Sequence, residues 1–263
     1  MSLIDAIKVK NASEALAMIS RGEGLGERDN DRSKPLHLAC EKGLTEVAMA
    51  LMERGADIHT RDKLQRTPLH RACAYGHTEV AMALMERGAD IDARDKNQSI
   101  PLHWACNKGH TEVATALMER GADIDARDIW RSTLLHHACD NGHAEVAMAL
   151  VEKGADIHAR DADQSTPLHH ACYKGLVNVV MALVERETDI DVRDIWQSTP
   201  LHYACGKGHT EVARTLIEKE ADIDARDGDL KTPLHHACHE GLVEVAMALV
   251  ERGADIHVRD EVN

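Results

Sequence analysis

The chain repeats itself every 33 residues without an insertion, and this period constrains the fold more than any other property. Pro-Leu-His stands at 35–37, 68–70, 101–103, 167–169, 200–202 and 233–235, and Leu134-Leu135-His136 fills the one gap. An Arg-Asp pair keeps the same register from Arg28-Asp29 and Arg61-Asp62 through to Arg259-Asp260. A unit this short cannot bury its own apolar face, so neighbouring units must stack to form a continuous core. The register divides the chain into a partial unit at 1–28 and seven full repeats, with a four-residue tail at 260–263. The full repeats run 29–61, 62–94, 95–127, 128–160, 161–193, 194–226 and 227–259.

The second full repeat illustrates the local signals. Thr67 suits a helix N-cap, and Pro68 suits the first turn, where a missing N–H costs nothing. A first helix is expected from about Pro68 to Tyr75, stopped by Gly76. A second begins near Thr78, with Glu79 close to its positive end and Val80, Ala81, Leu84 and Met85 as its buried stripe. Gly88 ends it as a left-handed cap, and residues 89–100 form an extended turn to the next repeat. The interior must be made of Leu, Ile, Val, Met, Ala and Cys, because the chain has no Phe and only three Trp and three Tyr. That inventory suits thin layers of helices. In the partial unit, helices are expected at about 3–9 and 12–20. Lys8, Lys10 and Glu14 stand there in place of small or apolar residues, as a polar N-terminal cap requires. The last repeat keeps Val245, Met247 and Leu249, as interior repeats do. Its outer face is expected to meet a partner, a second copy or a continuation of the array.

The recurring strings Thr-Pro-Leu-His-x-Ala, Gly-His-x-Glu-Val and Gly-Ala-Asp-Ile closely resemble the ankyrin repeat, over nearly the whole chain. The resemblance implies an all-α solenoid with two antiparallel helices and a β-hairpin-like loop per repeat. It implies binding through the groove between first helices and loop tips, and no catalysis. It also implies that the repeated His, such as His70, bonds to its Thr neighbour and bridges toward the next repeat.

Charge and chemistry narrow the function further. The formal net charge is −14, with 45 acidic against 31 basic residues. That balance disfavours nonspecific nucleic-acid binding and favours a partner with a basic patch. No run of 18 apolar residues suggests a membrane span, and the N-terminus does not read as a secretory signal. The seven cysteines fall one per repeat. Stacked equivalents lie about 10 Å apart, whereas a disulfide needs Cα atoms within about 7 Å. The thiols therefore read as small buried groups in a reducing compartment, the cytosol or the nucleus. His136-His137-x-Cys139, His169-His170-x-Cys172 and His235-His236-x-Cys238 suggest zinc. However, the first His of each belongs to the repeat and the Cys to the core. His137, His170 and His236 would face the groove, too far apart to share an ion, so neither metal nor cofactor is expected. The groove histidines could make binding respond to pH near 6. No phosphate loop or nucleophile elbow occurs, so no enzyme is expected. The Arg-Asp ladder reads as exposed ion pairs worth about 0–1 kcal/mol each.

What recurs builds the fold, so what varies is free to build a site. After the repeated His stand Leu38, Arg71, Trp104, His137, His170, Tyr203 and His236. Before the helix-stopping Gly stand Tyr75, Asp140 and Tyr173, among others. The loop tips carry Leu64, Ile129-Trp130, Ala162-Asp163, Ile195-Trp196 and Gly228-Asp229. Every aromatic residue lies in this set, and aromatics dominate interface hot spots. The candidate protein-binding residues are Leu64, Arg71, Tyr75, Trp104, Ile129, Trp130, His137, His170, Tyr173, Ile195, Trp196 and Tyr203. Trp104 and Tyr203 could instead pack half-buried against neighbours. The expected function is a non-catalytic scaffold that binds a protein or peptide; the alternative is assembly through the apolar C-terminal repeat. Finally, Arg32, Gln65, Gln98, Arg131, Gln164, Gln197 and Leu230 occupy a loop position where the family usually has Gly. The turn is expected to adapt to them. Lys34 and Ile100 replace a capping Thr, and Glu187 and Glu220 replace a cap Gly, marking repeats of lower stability.

Overall fold

The computed structural model describes residues 1–260; of the tail at 260–263, only Asp260 lies among the described residues. The chain forms two compact units, Met1–Ile129 and Trp130–Asn263. Among the described residues it is all-helical, each unit being an α-solenoid stack of ankyrin-type helix pairs. The first unit holds α1 (Leu3–Lys8), α2 (Ala12–Arg21), α3 (Pro35–Lys42), α4 (Thr45–Glu53), α5 (Pro68–Ala74), α6 (Thr78–Glu86), α7 (Pro101–Lys108) and α8 (Thr111–Glu119). The second holds α9 (Leu134–Asp140), α10 (Ala144–Glu152), α11 (Pro167–Lys174), α12 (Val177–Val184), α13 (Pro200–Gly206), α14 (Thr210–Glu218), α15 (Pro233–His239) and α16 (Val243–Glu251). First helices pack on first helices and second on second: α3, α5 and α7 form one layer, and α4, α6 and α8 the other. The second unit repeats the scheme with α9, α11, α13, α15 and α10, α12, α14, α16.

The repeated His ties each loop to the next. The Thr67 N–H donates to His70 Nδ1 at 3.1 Å, and the Thr67 hydroxyl lies 2.9 Å from the same atom. Because Nδ1 faces a backbone donor it must accept, so the proton sits on Nε2 and is donated to the Ser99 carbonyl at 3.1 Å. His136, His169 and His202 make the same two contacts. A second His crosses the other side of the stack. His110 Nε2 reaches the Ala74 carbonyl at 3.2 Å, and its ring lies where a Cβ on Gly76 would come within 2.6 Å of it. Gly76, at φ +72°, therefore both stops α5 and leaves room for that ring.

In the Arg61-Asp62 and Arg94-Asp95 pairs of the ladder, the arginine bonds to carbonyls and not to its neighbouring aspartate. Arg61 Nη1 donates to the Arg94 carbonyl at 2.6 Å and to the Gln65 carbonyl at 2.8 Å, and Arg94 repeats this with Arg127 and Gln98 at 3.0 Å each. The Asp of the pair serves its own loop: Asp62 Oδ1 accepts the N–H groups of Leu64 at 2.8 Å and Arg66 at 3.0 Å. The guanidinium fork suits carbonyls a fixed step away, and the carboxylate suits two converging N–H groups. The two partners of these pairs therefore go separate ways.

The loop tips also depart from expectation, since the turn does not adapt. Arg32, Gln65, Gln98, Arg131, Gln164, Gln197 and Leu230 all adopt φ between 59° and 62°. Hydrogen bonding forces this conformation: the N–H of the left-handed residue bonds back to the Asp carbonyl, as from Gln65 to Asp62 at 3.0 Å. Glu187 (φ 60°) and Glu220 (φ 65°) likewise keep the left-handed cap geometry that Gly88 and its equivalents have elsewhere.

The core is the expected aliphatic one, and six cysteines are buried in it. Burial raises their thiols well above the ordinary range, that of Cys205 to about 12. The seventh, Cys238, corrects the uniform expectation. It is exposed, because no further helix pair covers the α15–α16 face among the described residues.

Candidate binding face

The loop tips are held side by side by one backbone hydrogen bond per interface. In the first unit these run from the N–H of Lys63 to the Asp31 carbonyl (2.8 Å), Lys96 to Leu64 (2.9 Å) and Ile129 to Asn97 (3.0 Å). In the second they run from Ala162 to Trp130 (2.9 Å), Ile195 to Asp163 (3.0 Å) and Gly228 to Trp196 (2.8 Å). This fixes the tip backbone and leaves the tip side chains outside. Leu64, Tyr75 and Ile129 of the first unit are exposed, as are Trp130, Tyr173, Ile195 and Trp196 of the second. Trp130 and Trp196 each remain 52 % accessible.

The position after the repeated His behaves otherwise. Arg71 is buried, 8 % accessible, with Nη2 on Asp62 at 2.7 Å and Nη1 on Glu41 at 2.8 Å, so it offers no free guanidinium. Trp104 donates its indole N–H to Asp95 at 3.1 Å, under the Arg66 guanidinium at 5.6 Å from the ring. His170 meets Asp161 at 3.0 Å, Tyr203 donates its hydroxyl to Asp194, and His236 meets Asp227 at 2.9 Å. In each case the acceptor is the Oδ2 of the loop Asp nine residues earlier, whose Oδ1 holds the loop. The side chain varies while its role as a donor to that carboxylate is kept. The common signal, a donor at every one of these positions from Arg71 onward, was present in the sequence. His137 is half-buried on α9.

The same position meets the repeated His of the preceding repeat edge to face. The ring centroids are 5.5 Å apart for His136–His170, 5.8 Å for His169–Tyr203 and 5.7 Å for His202–His236. As a result, His136, Asp161 and His170 bring ligand atoms within 4.8 Å of one another, a proximity across repeats that residue spacing did not reveal. The chemistry does not suit a cation. His136 Nδ1 accepts from Thr133, and its Nε2 proton goes to the Ser165 carbonyl, so neither ring nitrogen is free to ligate. Burial holds the His136 imidazole near 4, reinforced by the charge of His170. For His170 burial acts in the same downward direction, but Asp140 and Asp161 outweigh it and raise the imidazole to about 9. His170 therefore keeps its charge across the range in which a groove histidine could act as a switch.

These contacts leave a cleft of about 280 Å³ in the second unit. Tyr173, Trp196 and Tyr203 wall it, Ser165, His169 and His170 line its depth, and Asp140 and Asp163 add carboxylates. It gathers His170, Tyr173, Trp196 and Tyr203 from the expected set. The two carboxylates had appeared only as variable positions. Burial and the hydrogen bond to Asp194 raise the Tyr203 hydroxyl far above its ordinary range, so it stays a donor.

The family model "Ankyrin repeats (3 copies)" matches residues 3–95, 36–128, 102–194 and 186–260. The crystal structure of the human ASB11 ankyrin repeat domain is similar to 85% of this chain and 99% of that one, at 28% sequence identity and a TM-score of 0.76. No curated protein sequence matches. No helix among the described residues is long and apolar enough to cross a membrane.

Proposed function

The chain belongs to the ankyrin repeat proteins, and from that premise we propose that it is a non-catalytic scaffold binding a protein or peptide along its first-helix and loop-tip face. Ankyrin repeats are generally protein-protein interaction modules. One observation carries the reading: Trp130 and Trp196, two of only three tryptophans in the chain, stand half-exposed at hydrogen-bonded loop tips. Exposed indoles of this kind are what interfaces bury. The net charge of −14 favours a partner with a basic surface. The seven unpaired thiols favour a reducing compartment, the cytosol or the nucleus.

The test compares the wild type with Trp130→Ala/Trp196→Ala for a partner recovered from source cells. The double variant should keep the far-UV spectrum and melting temperature and lose ~1000-fold in affinity, as expected for two hot spots of about 2 kcal/mol each. Unchanged affinity would remove the tip face from the interface. Trp104 is unsuitable for this purpose, because its indole holds Asp95.

A second reading, self-association, is favoured by the face of α15 and α16, where Val243, Met247, Val250 and Ile256 are exposed around an apolar groove of about 620 Å³. Cys238 lines the same groove and reports on it. In native dilute protein an aromatic disulfide reagent should modify one thiol quickly and the remaining six only after denaturation. If copies associate through this face, Cys238 should become protected as concentration rises, while light scattering reports a larger mass. A mass and a labelling rate both independent of concentration would exclude the association.

A further inference from the structure

We propose that the cleft walled by Tyr173, Trp196 and Tyr203 is a socket for one arginine side chain of an extended partner peptide. The inference rests on the protein-binding reading and adds the chemistry of the bound residue. Size comes first: about 280 Å³ lies just below the ~300 Å³ at which pockets for drug-sized ligands begin, and it suits one long side chain.

Charge comes next. The cation of His170 is matched by Asp161 at 3.0 Å and Asp140 at 3.7 Å, and Lys174 reaches Asp140 at 3.9 Å. Asp194 is committed to Tyr203 and to the N–H groups of Trp196 and Ser198. The Asp163 carboxylate has no hydrogen bond or ion pair among the described residues, and Asp163 is exposed at the mouth. With the Lys207 ammonium over Tyr173 included, the carboxylates of Asp140, Asp161, Asp163 and Asp194 outnumber the cations of His170, Lys174 and Lys207, so the net charge around the opening is negative.

The rings supply the third element. Lys207 and Lys174 already place their ammonium groups over Tyr173, at 4.6 and 5.2 Å from its centroid, so this cluster attracts cations within its own chain. The corresponding tip residues of four successive repeats are Trp130, Asp163, Trp196 and Asp229, and backbone hydrogen bonds link the four tips. Asp163 thus has an indole-bearing tip on each side. A guanidinium is flat and weakly hydrated. It can lie against an indole or phenol face while its edge donates to a carboxylate; an ammonium cannot do both in one plane.

The test uses the full chain labelled with 15N at low salt and follows its three indole N–H signals. The probes are N-acetyl-arginine amide, N-acetyl-lysine amide and the uncharged isostere N-acetyl-citrulline amide. The arginine probe should move the Trp196 signal saturably with a Kd of ~1–10 mM, the lysine probe should bind at least ~3-fold more weakly, and citrulline should leave the signal in place. Asp163→Asn should weaken the arginine probe by at least ~5-fold, whereas Asp229→Asn, two tips further along, should leave it unchanged. Citrulline or lysine binding as well as arginine, an Asp163→Asn chain binding as well as wild type, or no saturable shift would each overturn the socket. A silent probe alongside loss of the partner in Trp130→Ala/Trp196→Ala would reject the socket and keep the scaffold. A responsive probe with the partner unaffected by those substitutions would reject the tip face as the interface.

Discussion

Lowering the pH from 7.5 to 5 should unfold this chain cooperatively, with a net uptake of about four protons. Burial holds His70, His136, His169 and His202 near 4, against an ordinary value of 6.5. His37 is shifted the same way. Each ring accepts from its Thr or lies against that residue's N–H at Nδ1 and donates from Nε2 to a carbonyl of the following loop, so a second ring proton has no acceptor. The sign follows from linkage. Between 6.5 and 4 the unfolded chain carries protons that the folded chain excludes, so stability rises with pH in that window. It is fully present above 6.5 and is lost as pH falls toward 4. A shift of this size corresponds to about 3 kcal/mol per histidine at full development, and several such groups match the ~5–15 kcal/mol that holds a typical domain. His170 acts in the opposite sense. Its pKa near 9 gives stability that is complete below 6.5 and lost as pH rises through 9. Denaturant midpoints followed by circular dichroism from pH 8 to 4.5 test this, and His202→Gln should reduce the proton uptake by about one. A free energy of unfolding that is flat between pH 7 and 5 would contradict the neutral-histidine ladder.

Replacing the seven left-handed loop residues by glycine should raise the melting temperature by ~10–15 °C. Arg32, Gln65, Gln98, Arg131, Gln164, Gln197 and Leu230 all sit at φ near 60°. A side chain there costs roughly 1–2 kcal/mol through its Cβ, and glycine gives back about 0.5–1 kcal/mol through greater freedom in the unfolded chain. The net gain of about 0.5–1 kcal/mol per site should nearly add up, because equivalent positions on stacked repeats stand about 10 Å apart. Glu187→Gly and Glu220→Gly should each add a similar increment at the helix caps. Gly76→Ala is the opposing control: the same left-handed geometry with the His110 ring in the way should cost stability. An unchanged melting temperature in the seven-fold variant would mean that these turns relax in solution.

The candidate binding face was legible in part. Exposure of Leu64, Tyr75, Ile129, Trp130, Tyr173, Ile195 and Trp196 follows from their place at variable tips and helix ends. The other variable column carries a structural role beside its variation. Arg71, Trp104, His170 and Tyr203 differ in every property except that each donates to the loop Asp of its own repeat.

The 33-residue register by itself determined the helix pair and the glycine caps, because those depend on groups a few residues apart or on one step repeated along the chain. Only the tertiary structure decided that the loop turns stay left-handed without glycine and that the ladder arginines reach carbonyls. It also decided that Asp140, Asp163, Tyr173, Trp196 and Tyr203, drawn from three repeats, close around one cleft. Those outcomes depend on where side chains some 30 to 60 residues apart converge, and a one-dimensional period carries no information about that convergence.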